Sequence, residues 1–195
     1  KYFNQNFGSC PKIILVHHQL GHIATAFYSS GFTEATCISL DGFGDGQSGL
    51  IAEASLKNGI KKIEYVQKDN SFGNFYTMVT EYLGYTTGDE YKVMGLAAYG
   101  KNNLDFSKVI KINSKYWKFN NGYYKGRKST YLDTYSEKFR KEFKNYRRKP
   151  NEKINYFHKN FAASAQAMAN RGLVKIFKYA KNLSKFKGKV CFAGE

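Results

Sequence analysis

The alternation of apolar and polar positions divides the chain into a short series of elements. Residues 12–16, KIILV, are apolar and β-branched, which predicts a buried strand, and IATAFYSSG continues at helical spacing as far as Gly31. ATCISLDGFGDGQSGLIAEASLKNGIKKIEYVQ sets two apolar runs either side of a glycine-rich loop and a third after Asn58-Gly59, which predicts an antiparallel meander with tight turns. In SFGNFYTMVTEYLGY, Phe75, Met78, Val79, Tyr82 and Leu83 share one helical stripe, and Gly84 stands where a C-terminal cap belongs. Residues 90–100, EYKVMGLAAYG, read as a short helix ending at Gly100. Phe161, Ala165, Met168, Gly172, Ile176, Ala180 and Leu183 keep a three-or-four spacing, so a long amphipathic helix is expected, closed by Lys187-Gly188 and followed by a last apolar strand, KVCFAG. This phasing puts His158 on the solvent side of that helix. Strand, helix, meander, helices and strand together make an α/β domain with a mixed sheet.

Composition sharpens the picture in three places. No apolar run reaches the roughly 18 to 20 residues of a membrane span, and KYFNQNFGSC lacks the apolar stretch of a signal peptide, so a cytoplasmic protein is expected. Cys10, Cys37 and Cys191 are widely separated, odd in number and free of C-x-x-C spacing, which suits thiols rather than a disulfide framework. The net charge of +16 is concentrated: residues 101–150 hold 15 basic and four acidic residues together with eleven aromatics. That stretch is either a solvated Lys-rich insertion or, through phosphate contacts and base stacking, a nucleic-acid surface.

Three of the four histidines, His17, His18 and His22, crowd the strand-to-helix junction. His18 and His22 are four apart, so on a helix they project from one face and can share a divalent metal, and Asp41, where an apolar strand meets a glycine turn, is the natural carboxylate partner. Position 19 is not Glu, which argues against the H-E-x-x-H hydrolase arrangement. DGFGDGQSG serves either as a turn, with Asp45 a turn residue, or as a backbone cradle for phosphate. Lys92 either neutralises a phosphate or pairs with Asp89 or Glu90. VCFAGE has the form of a strand entering a ligand-binding glycine turn with nothing after it, so a fragment is expected.

HHQLGHIATAFYSSGF, ISLDGFGDG, GNFYTMVTEYLGY, GDEYKVMGLAAYGK, FAASAQAMANRGLVKIF and VCFAG, in this order, resemble the carbamoyltransferases of the nodulation-factor and antibiotic type, over about residues 11–194. EYKVMGLAAYG is the most specific element; the histidine pair and the D-G-x-G turn are shared with the tRNA threonylcarbamoyl-adenosine synthases and hydrogenase-maturation carbamoyltransferases. The resemblance implies an actin-like ATPase fold with lobes of the ribonuclease H type, 1–32 ending the first lobe and 33–195 forming a truncated second lobe with the insertion at about 101–150. It implies carbamoyl transfer from carbamoyl-adenylate, formed from ATP and carbamoyl phosphate, to a hydroxyl of a small molecule. It also implies a divalent metal, Fe(II) foremost, on His18, His22 and Asp41, and nucleotide contacts at Gly42, Gly44, Gly46, Lys92, Ala193 and Gly194. Glu195 departs from the family's glycine, and the family's first-lobe loop, second metal aspartate and adenylate-forming domain have no counterpart, so the 195 residues alone are not expected to turn over. A tRNA-modifying transferase, a nucleic-acid-binding module and a non-catalytic remnant are the competing expectations.

Overall fold

In the computed structural model, which describes residues 1–120, 122–125 and 134–194, short α1 (Tyr2–Phe7) is followed by an extended segment and α2 (His18–Tyr28). The meander β1 (Glu34–Gly44), β2 (Gln47–Ser55) and β3 (Gly59–Gln67) comes next. Then come α3 (Phe72–Tyr82), α4 (Glu90–Ala97), a small hairpin of β4 (Ile110–Ile112) and β5 (Trp117–Phe119), and α5 (Glu137–Glu142). The long α6 (Tyr156–Leu183) leads into β6 (Val190–Ala193). The main sheet has the order β3-β2-β1-β6, with β6 parallel to β1 and the other pairs antiparallel, so it is mixed as expected.

The period of two along the strands sorts side chains onto two faces. Ala35, Cys37, Leu50, Ala52 and Ala54 meet Ile23 and Phe27 of α2 on one face. Ile38, Leu40, Ile51 and Val66 meet α3, α4 and α6 on the other. The expected stripe of α3 is buried throughout, and Gly84 ends the helix at φ 72°. Cys37 and Cys191 stand opposite each other on neighbouring strands, both buried and free; burial, with Cys191 alongside, pushes the Cys37 thiol up to about 12, which keeps it protonated and unreactive. No helix among the described residues is long and apolar enough to cross a membrane.

Eight of the eleven aromatics of 101–150 are core residues: Phe106, Tyr116, Trp117, Phe119, Tyr123, Tyr135, Phe139 and Phe143. The segment is also anchored to α3. Glu81 accepts hydrogen bonds from the Thr134 N–H and hydroxyl at 3.0 and 2.7 Å, and the Arg148 guanidinium donates to the Leu83 carbonyl at 2.8 Å. Rings so buried are not presented for base stacking, and the lysines between them hold the surface. Residues 121 and 126–133 of this stretch lie outside the described residues.

Two expectations are corrected. KIILV forms no strand: residues 10–17 carry no secondary structure and Ile13, Ile14, Leu15 and Val16 are all exposed, because no described strand runs beside them to complete a ladder. His158 is not solvated but 1% exposed, because it is the third residue of α6 and is drawn inward by a capping box. The Asn155 side chain accepts from the His158 N–H and His158 Nδ1 accepts from the Asn155 N–H, both at 3.2 Å. Burial holds this imidazole below its ordinary 6.5, with Glu152 opposing. The unfolded chain therefore takes up the proton first as pH falls, so stability is complete above the ordinary value and declines below it. His158→Gln keeps an acceptor for the capping box and is expected to flatten that decline, read as urea midpoints at about pH 7.5 and 5.5.

Candidate metal centre

The β1–β2 hairpin turns at Asp45 (φ 48°) and Gly46 (φ 81°), the left-handed pair that a two-residue hairpin requires. Register is lost between Leu40, opposite Gly49, and Gly44, opposite Gln47. This bulge frees Asp41 from regular pairing and re-aims it towards α2. The hairpin in turn fixes α2: Asp45 Oδ2 accepts the His18 backbone N–H at 2.7 Å, satisfying one of the helix's orphan donors. Gly44 is required by proximity, since a Cβ there would lie 2.1 Å from the His18 ring. Within the helix, Gln19 bridges to the sheet, accepting from Ser39 Oγ at 2.7 Å.

The result brings His18, His22 and Asp41 together. Their ligand atoms all lie within 4.8 Å of one another. His18 Nε2 stands 2.5 Å and His22 Nε2 3.5 Å from Asp41 Oδ2, and the two Nε2 atoms are 3.0 Å apart. Asp41 Oδ1 is taken by the Gly42 N–H, so Oδ2 is the oxygen turned to the imidazoles. Donors about 2.0 to 2.2 Å from one ion stand about 2.8 to 3.6 Å apart, so two of these separations match a shared ion and the shortest matches a hydrogen bond across the same space. Two imidazoles and one carboxylate fit a divalent iron, zinc or manganese ion. Asp41 is buried and both rings reach solvent, which gives an ion a way in. His17 does different work: it caps α2, its Nδ1 accepting the Gln19 N–H at 3.3 Å.

The other expected site residues divide by position. Gly42 follows Asp41 and faces the start of α3, where a Cβ on Gly73 would stand 2.6 Å from the Gly42 backbone. Ala193 pairs with Ser39, and Gly194 (φ 131°) passes so close to the Leu40 carbonyl that no side chain fits, so the end of β6 runs beside the approach to Asp41. Lys92, on α4, is engaged with Asp89 at 2.8 Å and lies near the rings of Tyr85 and Tyr91; Glu90 instead accepts from Thr77 Oγ1 at 2.7 Å. Glu195 lies outside the described residues. Asn74, whose Oδ1 would stand 3.8 Å from a Cβ on Gly42, had no signal in the sequence because it sits among the stripe residues of α3.

Residues 6–195 match the family described as Carbamoyltransferase N-terminus. Nodulation protein NolNO of Sinorhizobium fredii is 41% identical over 99 residues, 49% of this chain and 14% of its own length. Nodulation protein NolO of Bradyrhizobium diazoefficiens is 44% identical over 84 residues, 43% of this chain and 15% of its own. An uncharacterized protein of Synechocystis is 27% identical over 182 residues, 85% of this chain and 27% of its own. The matched segments thus amount to about a seventh of each nodulation protein. With a family match running from α1 through the histidine helix and the Asp41 bulge to the last strand, this chain belongs to the carbamoyltransferase N-terminus family.

Proposed function

We propose that the chain is the metal- and nucleotide-binding part of an enzyme that passes a carbamoyl group from carbamoyl-adenylate, formed from ATP and carbamoyl phosphate, to a hydroxyl of a small-molecule or sugar acceptor. The observation that carries this reading is the convergence of His18, His22 and Asp41 in a chain of this family. The mixed sheet, a meander with one parallel strand added at β1, supports the ribonuclease H-like lobe of an actin-like ATPase fold. A divalent metal, iron foremost, bound by the three residues would supply stabilisation of negative charge on the adenylate phosphate.

The chain's own residues orient and bind. Asp41, held by the Gly42 N–H, keeps both imidazoles pointed at one place, and α2 is locked to the hairpin through Asp45. Gly42 and Gly46, where a Cβ would meet nothing closer than 3.8 Å, offer unobstructed backbone along the nucleotide, Gly44, Ala193 and Gly194 line it from beside, and Lys92 exchanges Asp89 for a phosphate oxygen. The acceptor hydroxyl oxygen bonds to the carbamoyl carbon as the bond from that carbon to the AMP phosphate oxygen breaks, and the hydroxyl proton passes to solvent; the nearby positive charge and N–H donors favour the departing AMP anion without a covalent protein intermediate. The resemblance to the nodulation-factor type makes a sugar hydroxyl the first acceptor to try.

The first step of the test is acceptor-independent. Protein expressed from the complete reading frame is expected to release pyrophosphate from ATP only when carbamoyl phosphate is added, and to transfer carbamoyl to a hydroxyl compound with loss of that transfer in His18→Ala. Pyrophosphate release that ignores carbamoyl phosphate would overturn the reading.

A further inference from the structure

Asn74 is the third residue of α3 and only 6% exposed, yet its side-chain amide makes no hydrogen bond to any described residue. Its backbone N–H, by contrast, is engaged by Ser71 Oγ at 3.0 Å. Buried amides are ordinarily paired, because water is lost without replacement otherwise. Nor is this amide fully sealed in: the enclosed side-chain polar atoms without partners among the described residues are Gln47 Oε1 and Arg140 Nε, so the Asn74 amide keeps a narrow opening to a space where a ligand could reach it.

That space lies over Gly42. A Cβ on Gly42 would meet one atom within 4 Å, Asn74 Oδ1 at 3.8 Å. Gly42 follows Asp41, whose carboxylate meets His18 and His22. The first turn of α3 packs directly on the same peptide through Gly73. Two further donors are free there: the Phe72 and Gly73 N–H groups precede the first intrahelical bond, Phe75 N–H to Ser71 carbonyl, and no bond among the described residues uses them. Backbone N–H groups and the positive end of the helix dipole favour an anion at this place. The Asn74 amide presents Oδ1 to Gly42 and, holding no partner, is free to turn about χ2 and present the Nδ2 donor to an anion instead.

We propose that the Asn74 amide and the Phe72 and Gly73 N–H groups bind a phosphoryl oxygen beside the His18, His22 and Asp41 cluster, which makes Asn74 a substrate-positioning residue. The anion's identity as the adenylate phosphate rests on the carbamoyl-transfer reading; the binding of phosphate itself does not. Gly42 then lacks a side chain because the ligand takes its place.

Inorganic phosphate and, separately, AMP are titrated into the metal-free protein, followed by amide NMR. A saturable displacement of the Phe72 and Gly73 backbone signals and the Asn74 side-chain signals is expected, with tighter binding for AMP if the adenylate is the source and equal binding if free phosphate is. Asn74→Leu and Asn74→Ala are expected to weaken it at least about tenfold, by loss of a charge-assisted hydrogen bond. Asn74→Ala, which adds no bulk, carries this comparison if Asn74→Leu does not fold. Signals that do not move in the native protein, or unchanged affinity in a folded variant, overturn the site. If pyrophosphate release nonetheless depends on carbamoyl phosphate, the transfer reading stands without it; phosphate bound there in a protein that never releases pyrophosphate keeps the site and removes the reading.

Discussion

Anaerobic titration of the metal-free protein with Fe(II) is expected to give about one bound ion, and the His18→Ala/His22→Ala double variant is expected to bind it more than about 100-fold more weakly. Loss of an outer partner of a metal ligand alone typically costs 10- to 100-fold, and here two of three inner ligands go. The three ligand atoms already face one another within 4.8 Å, so binding requires little rearrangement. A second readout follows from linkage: an ion held only by the folded chain raises its unfolding free energy, by about 2.7 kcal/mol at a hundred times Kd. The native protein should therefore melt later with Fe(II) present, and the double variant should not. Equal affinity in both proteins would show the histidines to be structural.

Phe161→Ala is expected to destabilise the fold by about 3 to 5 kcal/mol, measured as a shift in urea midpoint at constant slope. The Phe161 ring is fully buried and touches Tyr82, Phe106, Phe139, Phe143 and Tyr146, with centroids 5.2 to 6.2 Å away. It is the point where α6, α3 and the basic segment meet, so removing it opens a cavity that three separately anchored elements close only in part. A cost below about 1 kcal/mol would mean that the segment packs on α3 independently of α6.

The elements with strong local signals were legible. The stripe of α3, the Asn58-Gly59 turn (Gly59 φ 69°) and the hairpin at Asp45-Gly46 follow from side-chain period and left-handed turn residues. His18, His22 and Asp41 were legible as a set because helical spacing and a strand end are both local features. What escaped depends on neighbours. KIILV has the composition of a core strand, but a strand needs a partner, and composition carries no record of one. His158 falls on the polar face by spacing, yet its burial is decided in the first turn by a reciprocal cap with Asn155. The Lys-rich segment looked solvated because its charges outnumber its rings, while the rings alone determine how it packs. Asn74 was hidden for the converse reason: a polar residue in an apolar stripe has no visible purpose until Gly42 is found opposite it.

The parallel pairing of β6 with β1 has a consequence for how the molecule assembles. Joining Cys37 to Cys191 closes a loop of about 150 residues, whereas joining Ile38 to Ile51 closes about a dozen, a difference in closure entropy of about 2 kcal/mol. The meander, α2 and the histidine-carboxylate cluster are thus all within reach of short loops, and the last strand docks onto a strand already supported on its other side. During synthesis the whole cluster has left the ribosome more than a hundred residues before β6 exists, so the order of translation and the order of loop costs run the same way.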